Sequence, residues 1–255
     1  NDLGALRQIT AFGGVASSGA RDGSPGTVLL KRTGQAYGDL YVDAGVEDAT
    51  AVLWTALTPV GFGRVQAVDG DTLTVETNVE FTVNALAGIE LNPNLDQSVT
   101  YVVASNTADT ITLVTAGKPA LASVTEAGDV YAAVYRFDSV YLRRGAYLAM
   151  GDLLRIEDYL DVSEYARLTH LDATPTFEPR LDIVAGDIHL AADSTIEADA
   201  RGYVGGKHGH GGDSGFTLGN LAGARFRSAG SYGGLGAIYD GSGSNTCVGD
   251  SGGPL

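Results

Sequence analysis

Between residues 137 and 161 (FDSVYLRRGAYLAMGDLLRIEDYLD) the chain repeats one short figure: a run of three to five β-forming residues, then a Gly or Asp corner, every six to eight residues. The runs are Ser139–Leu142, Ala146–Ala149 and Leu153–Ile156, and residues 180–199 repeat them as Leu181–Val184, Asp187–Leu190 and Ser194–Glu197. Val, Ile, Leu, Thr and Tyr suit a pleated, half-buried surface, while Gly and Asp suit turns. Strands this short, with corners this tight, suit the rungs of a parallel β-helix, where each face is one short strand and a coil takes about 20–25 residues. An antiparallel sandwich also carries many short strands and stays open, although these links are short and regular for Greek-key crossings. The expectation is an all-β chain built on a right-handed parallel β-helix, or solenoid. Helical signals are scarce; the best candidate is Val162–Leu171 (VSEYARLTHL), with Ser163 placed as an N-cap.

Four segments follow. Residues 1–59 read as an N-terminal segment with the first rungs, including short strands Thr27–Lys31 and Asp39–Val42 around a glycine turn. Residues 60–136 change style. Arg64–Val68 and Thr72–Glu76 flank Asp69-Gly70-Asp71, a hairpin signal, since both residue types tolerate the positive φ of tight turns. Ser98–Ala104 and Thr110–Val114 flank a longer loop, and Asp129–Arg136 completes an antiparallel β insert. Rungs resume over 137–201, and residues 202–255 form a glycine-rich flap or cap.

That last segment holds 18 of the 36 glycines but balances Lys207, Arg225 and Arg227 against Asp213, Asp240 and Asp250. The whole net charge of −15 therefore lies in residues 1–201. An acidic surface lacks the clustered Lys and Arg that track phosphates, which argues against nucleic-acid binding, and it disfavours adsorption to anionic membranes. No apolar run approaches the roughly twenty residues of a spanning helix, so membrane insertion is not expected. The single cysteine, Cys247, permits no internal disulfide and no multi-thiolate zinc site. A start at Asn1 rather than Met reads as a mature or excised piece.

Three stretches, Leu86–Val114 (LAGIELNPNLDQSVTYVVASNTADTITLV), Gly128–Asp152 (GDVYAAVYRFDSVYLRRGAYLAMGD) and Ser194–Gly212 (STIEADARGYVGGKHGHGG), together resemble segments of large repetitive bacterial surface or secreted proteins. Those proteins are adhesin-like, with β-solenoid units, small β inserts and glycine-rich runs. The resemblance implies an extracellular or cell-surface structural role and carries no catalytic residues with it.

Several residue groups bear on chemistry. Cys247-Val248-Gly249-Asp250-Ser251-Gly252-Gly253-Pro254-Leu255 resembles the nucleophile loop of trypsin-like serine proteases, with Ser251 as nucleophile and the Gly249 and Ser251 N–H groups as oxyanion donors. The context departs from that family: none of His170, His189, His208 and His210 sits in its histidine setting, Cys247 has no partner, and only four residues follow Ser251. His208, His210 and Asp213 supply two imidazoles and a carboxylate that a glycine loop can wrap around Zn, Cu or Ni, or they form a solvated polar loop. Acidic turns at Asp69, Asp71, Asp182, Asp187, Asp193, Glu197 and Asp199 have the oxygen chemistry for Ca²⁺, without an EF-hand or RTX pattern. Glu157, Asp158, Asp161 and Glu164 near Arg155 and Arg167 are the material for a glycan hydrolase or lyase, or simply a solvated face. Tyr131, Tyr135, Tyr141 and Tyr147 are candidates for a tyrosine ladder or sugar-stacking surface.

The reading these features support is a non-enzymatic extracellular module, a rigid solenoid block of a surface adhesin or fibre. It associates with itself, with other surface proteins or with glycans. It requires no cofactor and leaves Ca²⁺ open. A polysaccharide-active hydrolase or lyase on the same scaffold is the alternative, and a divergent serine protease a third.

Overall fold

The computed structural model describes residues 9–14, 23–46, 54–76, 80–174, 179–199 and 201–202, together with the backbone of two strands at 215–217 and 221–224. The chain is all-β, and it divides into two compact units. Strand β1 (Thr27–Leu30) turns back antiparallel onto β2 (Asp39–Asp43), and β3 (Thr55–Leu57) follows. Then come β4 (Phe62–Asp69), β5 (Thr72–Val75), β6 (Glu90–Asn92), β7 (Tyr101–Asn106) and β8 (Thr110–Val114). The 14-residue β9 (Val130–Arg143) leads to β10 (Tyr147–Met150), β11 (Leu153–Val162), β12 (Arg167–His170), β13 (Ile183–Leu190) and β14 (Thr195–Ile196).

The first half of β9 closes a barrel. β4 pairs antiparallel with β5, β5 with β8, β8 with β7, β7 with β6, and both β6 and β4 pair with β9, so six strands form a ring. The β4–β5 turn is Asp69-Gly70-Asp71, with Gly70 at φ 58° as the tight corner requires. Period-two alternation in β5 sends Leu73 and Val75 inward, where they meet Leu91, Tyr101, Ile111, Leu121 and Tyr131. Each such side chain contributes roughly 1.5–3 kcal/mol by leaving water.

The second half of β9 belongs to a different arrangement. It pairs parallel with β2 on one side and with β11 on the other, and β11 pairs parallel with β13. A second parallel sheet runs β3, β10, β12, β14. Leu40, Val42, Val140, Leu142, Leu160 and Val162 from the first sheet share one apolar core with Leu148 and Leu168 from the second. The corners are tight: Arg144 and Gly145, then Glu164 and Tyr165, all have positive φ. At Gly151 a Cβ would lie 2.5 Å from the Pro59 nitrogen and 2.8 Å from the Leu57 carbonyl, so that corner admits glycine alone.

A parallel β-helix running through the chain is therefore corrected to a ten-stranded mixed sheet with a four-stranded parallel sheet beside it. The physical reason is β9. It does not end at a corner to release an insert; one continuous strand changes partners midway, from antiparallel to parallel. β1 and β2 form an antiparallel hairpin rather than successive rung faces. Expected strands Leu181–Val184 and Asp187–Leu190 are one strand, β13, because Gly186 is not a corner. A Cβ there would stand 2.5 Å from the Glu157 carbonyl oxygen and 2.7 Å from that of Asp158, so this glycine accommodates the bulge that lets β11 run on to Val162. The helical candidate Val162–Leu171 is the end of β11, a turn, and β12.

The second unit comprises His170–Arg180 and Ala198–Leu255. Its described features include an antiparallel pair, β15 (Gly215–Thr217) with β16 (Leu221–Ala224), and an Arg201–Asp172 ion pair at 2.7 Å. Among the described residues no helix is long and apolar enough to cross a membrane.

Candidate functional site

Parallel register carries equivalent residues into rows across the outer face of the β2–β9–β11–β13 sheet. Tyr41 lies opposite Tyr141, which lies opposite Asp161, which lies opposite His189. The Tyr41 and Tyr141 rings stack at 4.8 Å and 12°. Tyr159, from the adjoining row, bridges Tyr141 (6.4 Å) and His189 (6.5 Å, 15°). The Arg143 guanidinium lies over the Tyr141 ring at 5.1 Å. The rings are thus engaged with one another and, at Tyr141, with arginine. The row works as glue between strands, each aromatic pair adding about 0.5–1.5 kcal/mol beyond its burial.

Buried Asp161 organises the charges of this face. Its Oδ2 accepts Arg143 Nε and Nη2 at 3.0 and 2.8 Å, and its Oδ1 lies 2.8 Å from His189 Nδ1. With Nδ1 held on the carboxylate, the imidazole remains half-exposed.

Where β9 changes partners, a cleft of about 520 Å³ opens beside the barrel. Arg136 forms its floor. Nε and Nη2 of Arg136 each donate to Glu90 at 2.6 Å, Nη1 donates to Glu157 at 2.6 Å, and the Tyr37 ring lies 5.4 Å from the guanidinium. Burial alone would raise the Glu90 carboxyl, but hydrogen bonds from Arg136 and Thr100 overcome it and hold Glu90 below its ordinary value. Hydrogen bonding to Glu90 likewise keeps Arg136 firmly protonated against its own desolvation, with Glu157 adding to the effect. Tyr135 and Phe137 stack at 6.4 Å along the wall. The Tyr135 hydroxyl donates to the Thr58 carbonyl at 2.8 Å, and its pKa is pushed up to about 12, first by burial and then by the nearby Asp152 charge. Lys118 stands on the rim, with no hydrogen bond or ion pair to its ammonium among the described residues.

A carboxyl at the barrel's edge is buried rather than presented. Asp152, at the Gly151 corner, accepts the Val60 N–H on Oδ2 at 2.7 Å, while Oδ1 has no partner. Desolvation raises its pKa to about 7 against the pull of the Val60 N–H.

The four tyrosines proposed from sequence are scattered by the fold. Tyr131 is 0% exposed inside the barrel, its hydroxyl unpartnered, and offers nothing to a ligand. Tyr135 lines the cleft, Tyr141 belongs to the outer row, and Tyr147 lies on the other sheet with its hydroxyl 3.3 Å from Glu197 and Arg167 over its ring. Glu157 and Asp161 are engaged by separate cations, Arg136 and Arg143. Asp158 lies exposed at the β11 bulge, and Glu164 sits at a corner with φ 57°. Of the acidic turns, Asp71 accepts the Thr115 hydroxyl, Asp182 pairs with Arg155, and Glu197 lies 3.9 Å from Arg167. Among the described residues no group of three or more His, Cys, Asp or Glu is gathered to hold a metal. His208, His210, Asp213, Cys247, Gly249 and Ser251 lie outside the described residues.

Tyr37, Tyr41, Glu90, Arg136 and His189 emerge only with the fold. The alternation of 139, 141 and 143 was a signal for one face, but pairing Tyr41 with Tyr141 requires the parallel register. No known protein family, characterised protein or solved structure is matched by the chain.

Proposed function

We propose that the chain is a non-enzymatic extracellular structural and adhesive module, a rigid block with a short β-solenoid-like stack that docks onto further units in a surface adhesin or fibre. One observation carries this reading. The inward columns Leu40–Val140–Leu160–Ile188 and Val42–Leu142–Val162–Leu190 are sealed in the first three strands and open in the fourth, where Ile188 is 48% and Leu190 46% exposed. Among the described residues β13 pairs only with β11, so its other edge offers a ladder for strand addition. The interlocked rings and ion pairs of the outer face favour stiffness.

Sedimentation velocity on the full chain over a wide concentration range tests the reading. Concentration-dependent association, weakened in Ile188→Asp and Leu190→Asp, is the expected result; a monomer at every concentration would refute docking through this strand.

One observation favours a second reading, the glycan-active enzyme: the half-exposed His189 ring is held on the Asp161 carboxylate at 2.8 Å. Cleavage of an acidic polysaccharide that disappears in both His189→Ala and Asp161→Asn would replace the passive role with that one.

A further inference from the structure

We propose that the cleft between Tyr37 and Lys118 is a binding subsite for a neutral glycan, recognising sugar residues through vicinal hydroxyls. The inference deepens the adhesive reading above and rests on it for its biological sense, by naming what the module holds.

The cleft is walled mainly by apolar and aromatic residues, with Arg136, Glu90, Thr100 and Lys118 as its polar groups. Its volume of about 520 Å³ falls within the roughly 300–1,000 Å³ typical of small-ligand pockets. A guanidinium carries five N–H donors, and Arg136 directs three of them to Glu90 and Glu157, so two remain. Glu90 Oε1 already accepts both Arg136 Nη2 and the Thr100 hydroxyl, whereas Glu90 Oε2 accepts Arg136 Nε alone and keeps a lone pair. A sugar diol needs this adjacency, with one hydroxyl donating to a carboxylate oxygen while its neighbour accepts from a guanidinium N–H. Because the three side chains are already locked to one another, binding orders little that is not ordered beforehand.

The walls supply the other half of sugar recognition. Tyr37 is 40% exposed, so it keeps free ring surface for the C–H face of a pyranose after its contact with Arg136. Tyr135, next to Arg136 along the strand, turns its ring to the opposite face against the core of the parallel sheets, so Tyr37 is the stacking ring. Lys118 brings donors at the rim.

Charge selects a neutral ligand over an acidic one. Arg136 and Lys118 are balanced locally by Glu90 and Glu157, and the chain around them carries a net charge of −15, which repels polyanions.

Isothermal titration calorimetry of the full chain with cellohexaose, mannohexaose and maltohexaose, and with trigalacturonate as the acidic counterpart, tests the proposal. Saturable binding of at least one neutral oligosaccharide is expected, weakened about two- to tenfold in Tyr37→Ala, as loss of a stacking ring implies. Lys118→Ala, at an exposed turn that does not endanger folding, is expected to weaken binding about threefold. Tyr41→Ala, in the outer row, should bind as the unmodified chain does. Binding of trigalacturonate alone, no binding of any neutral oligosaccharide at millimolar concentration, or unchanged affinity in both Tyr37→Ala and Lys118→Ala would overturn it. Sedimentation without sugar probes the docking strand independently, so failure of either idea leaves the other readable.

Discussion

Asp152 makes the stability of this protein depend on pH in a direction opposite to the usual acid denaturation. The carboxyl is 3% exposed, and it titrates at about 7 in the fold against an ordinary 3.8. At about 1.4 kcal/mol per pH unit, its ionised form is disfavoured in the folded chain by about 4 kcal/mol. Below about pH 4 folded and unfolded chains both hold the proton and nothing is lost. From about pH 4 to 7 the unfolded chain releases its proton while the folded chain keeps it, so stability falls as pH rises; above about 7 the loss is complete. Asp152→Asn retains an acceptor for the Val60 N–H and cannot ionise, but its amide N–H groups lack a partner, a cost of about 1–3 kcal/mol at every pH. The variant is therefore the less stable protein at low pH and the more stable one at pH 8. Urea denaturation of both proteins at intervals between pH 4.5 and 8 isolates the effect, because other titrating groups cancel in the difference. The stability of the variant relative to the unmodified chain should rise by about 3 kcal/mol across that range. A flat difference would show that Asp152 ionises at ordinary pH and that its burial does not govern it.

Leu142→Ala, which hollows the core shared by the two parallel sheets, should cost about 2–5 kcal/mol in the same denaturation assay. At Gly63 a Cβ would lie 2.8 Å from the Tyr131 hydroxyl oxygen, so Gly63→Ala should cost about 1–3 kcal/mol. That cost should shrink when Tyr131→Phe removes the buried, unpartnered hydroxyl, a change that on its own leaves stability equal or higher. Asp161→Ala leaves Arg143 and His189 without their shared carboxylate and should cost about 2 kcal/mol at neutral pH, read as a lowered urea midpoint.

The β character of the chain was legible because its signals are local. The Asp69-Gly70-Asp71 turn joins two strands, and alternation in Thr72–Val75 marks an inward face. Corners were less legible, since a glycine reads the same whether it turns the chain or lets another backbone approach. Gly145 does the first, at φ 74°, and Gly186 does the second, against the Glu157 and Asp158 carbonyls. Equating the two cut β13 into halves and made a mixed sheet look like a regular coil. The site was less legible still. Tyr131, Tyr135 and Tyr141 are alike as letters in one strand, yet they face the barrel core, the core of the parallel sheets and the outer row.

The cleft exists because β9 exchanges partners. On one side β4 pairs as far as Ala132, and β2 takes over only at Ser139. In the interval Asp138 is tied to the turn before β2, accepting the Tyr37 and Gly38 N–H groups at 3.1 and 2.7 Å. On the other side β6 ends its pairing at Val134, opposite Glu90, and β11 brings in Glu157. Three structural contexts therefore place an aromatic ring and two carboxylates around Arg136, a residue that no partner strand covers on the Tyr37 side. A coil of uniform rungs would bury this stretch under identical neighbours, and a barrel on a flexible tether would not hold Glu90 against Glu157. The same irregularity that breaks the regular coil leaves a cleft beside the barrel, with the Arg136–Glu90 pair set among apolar walls.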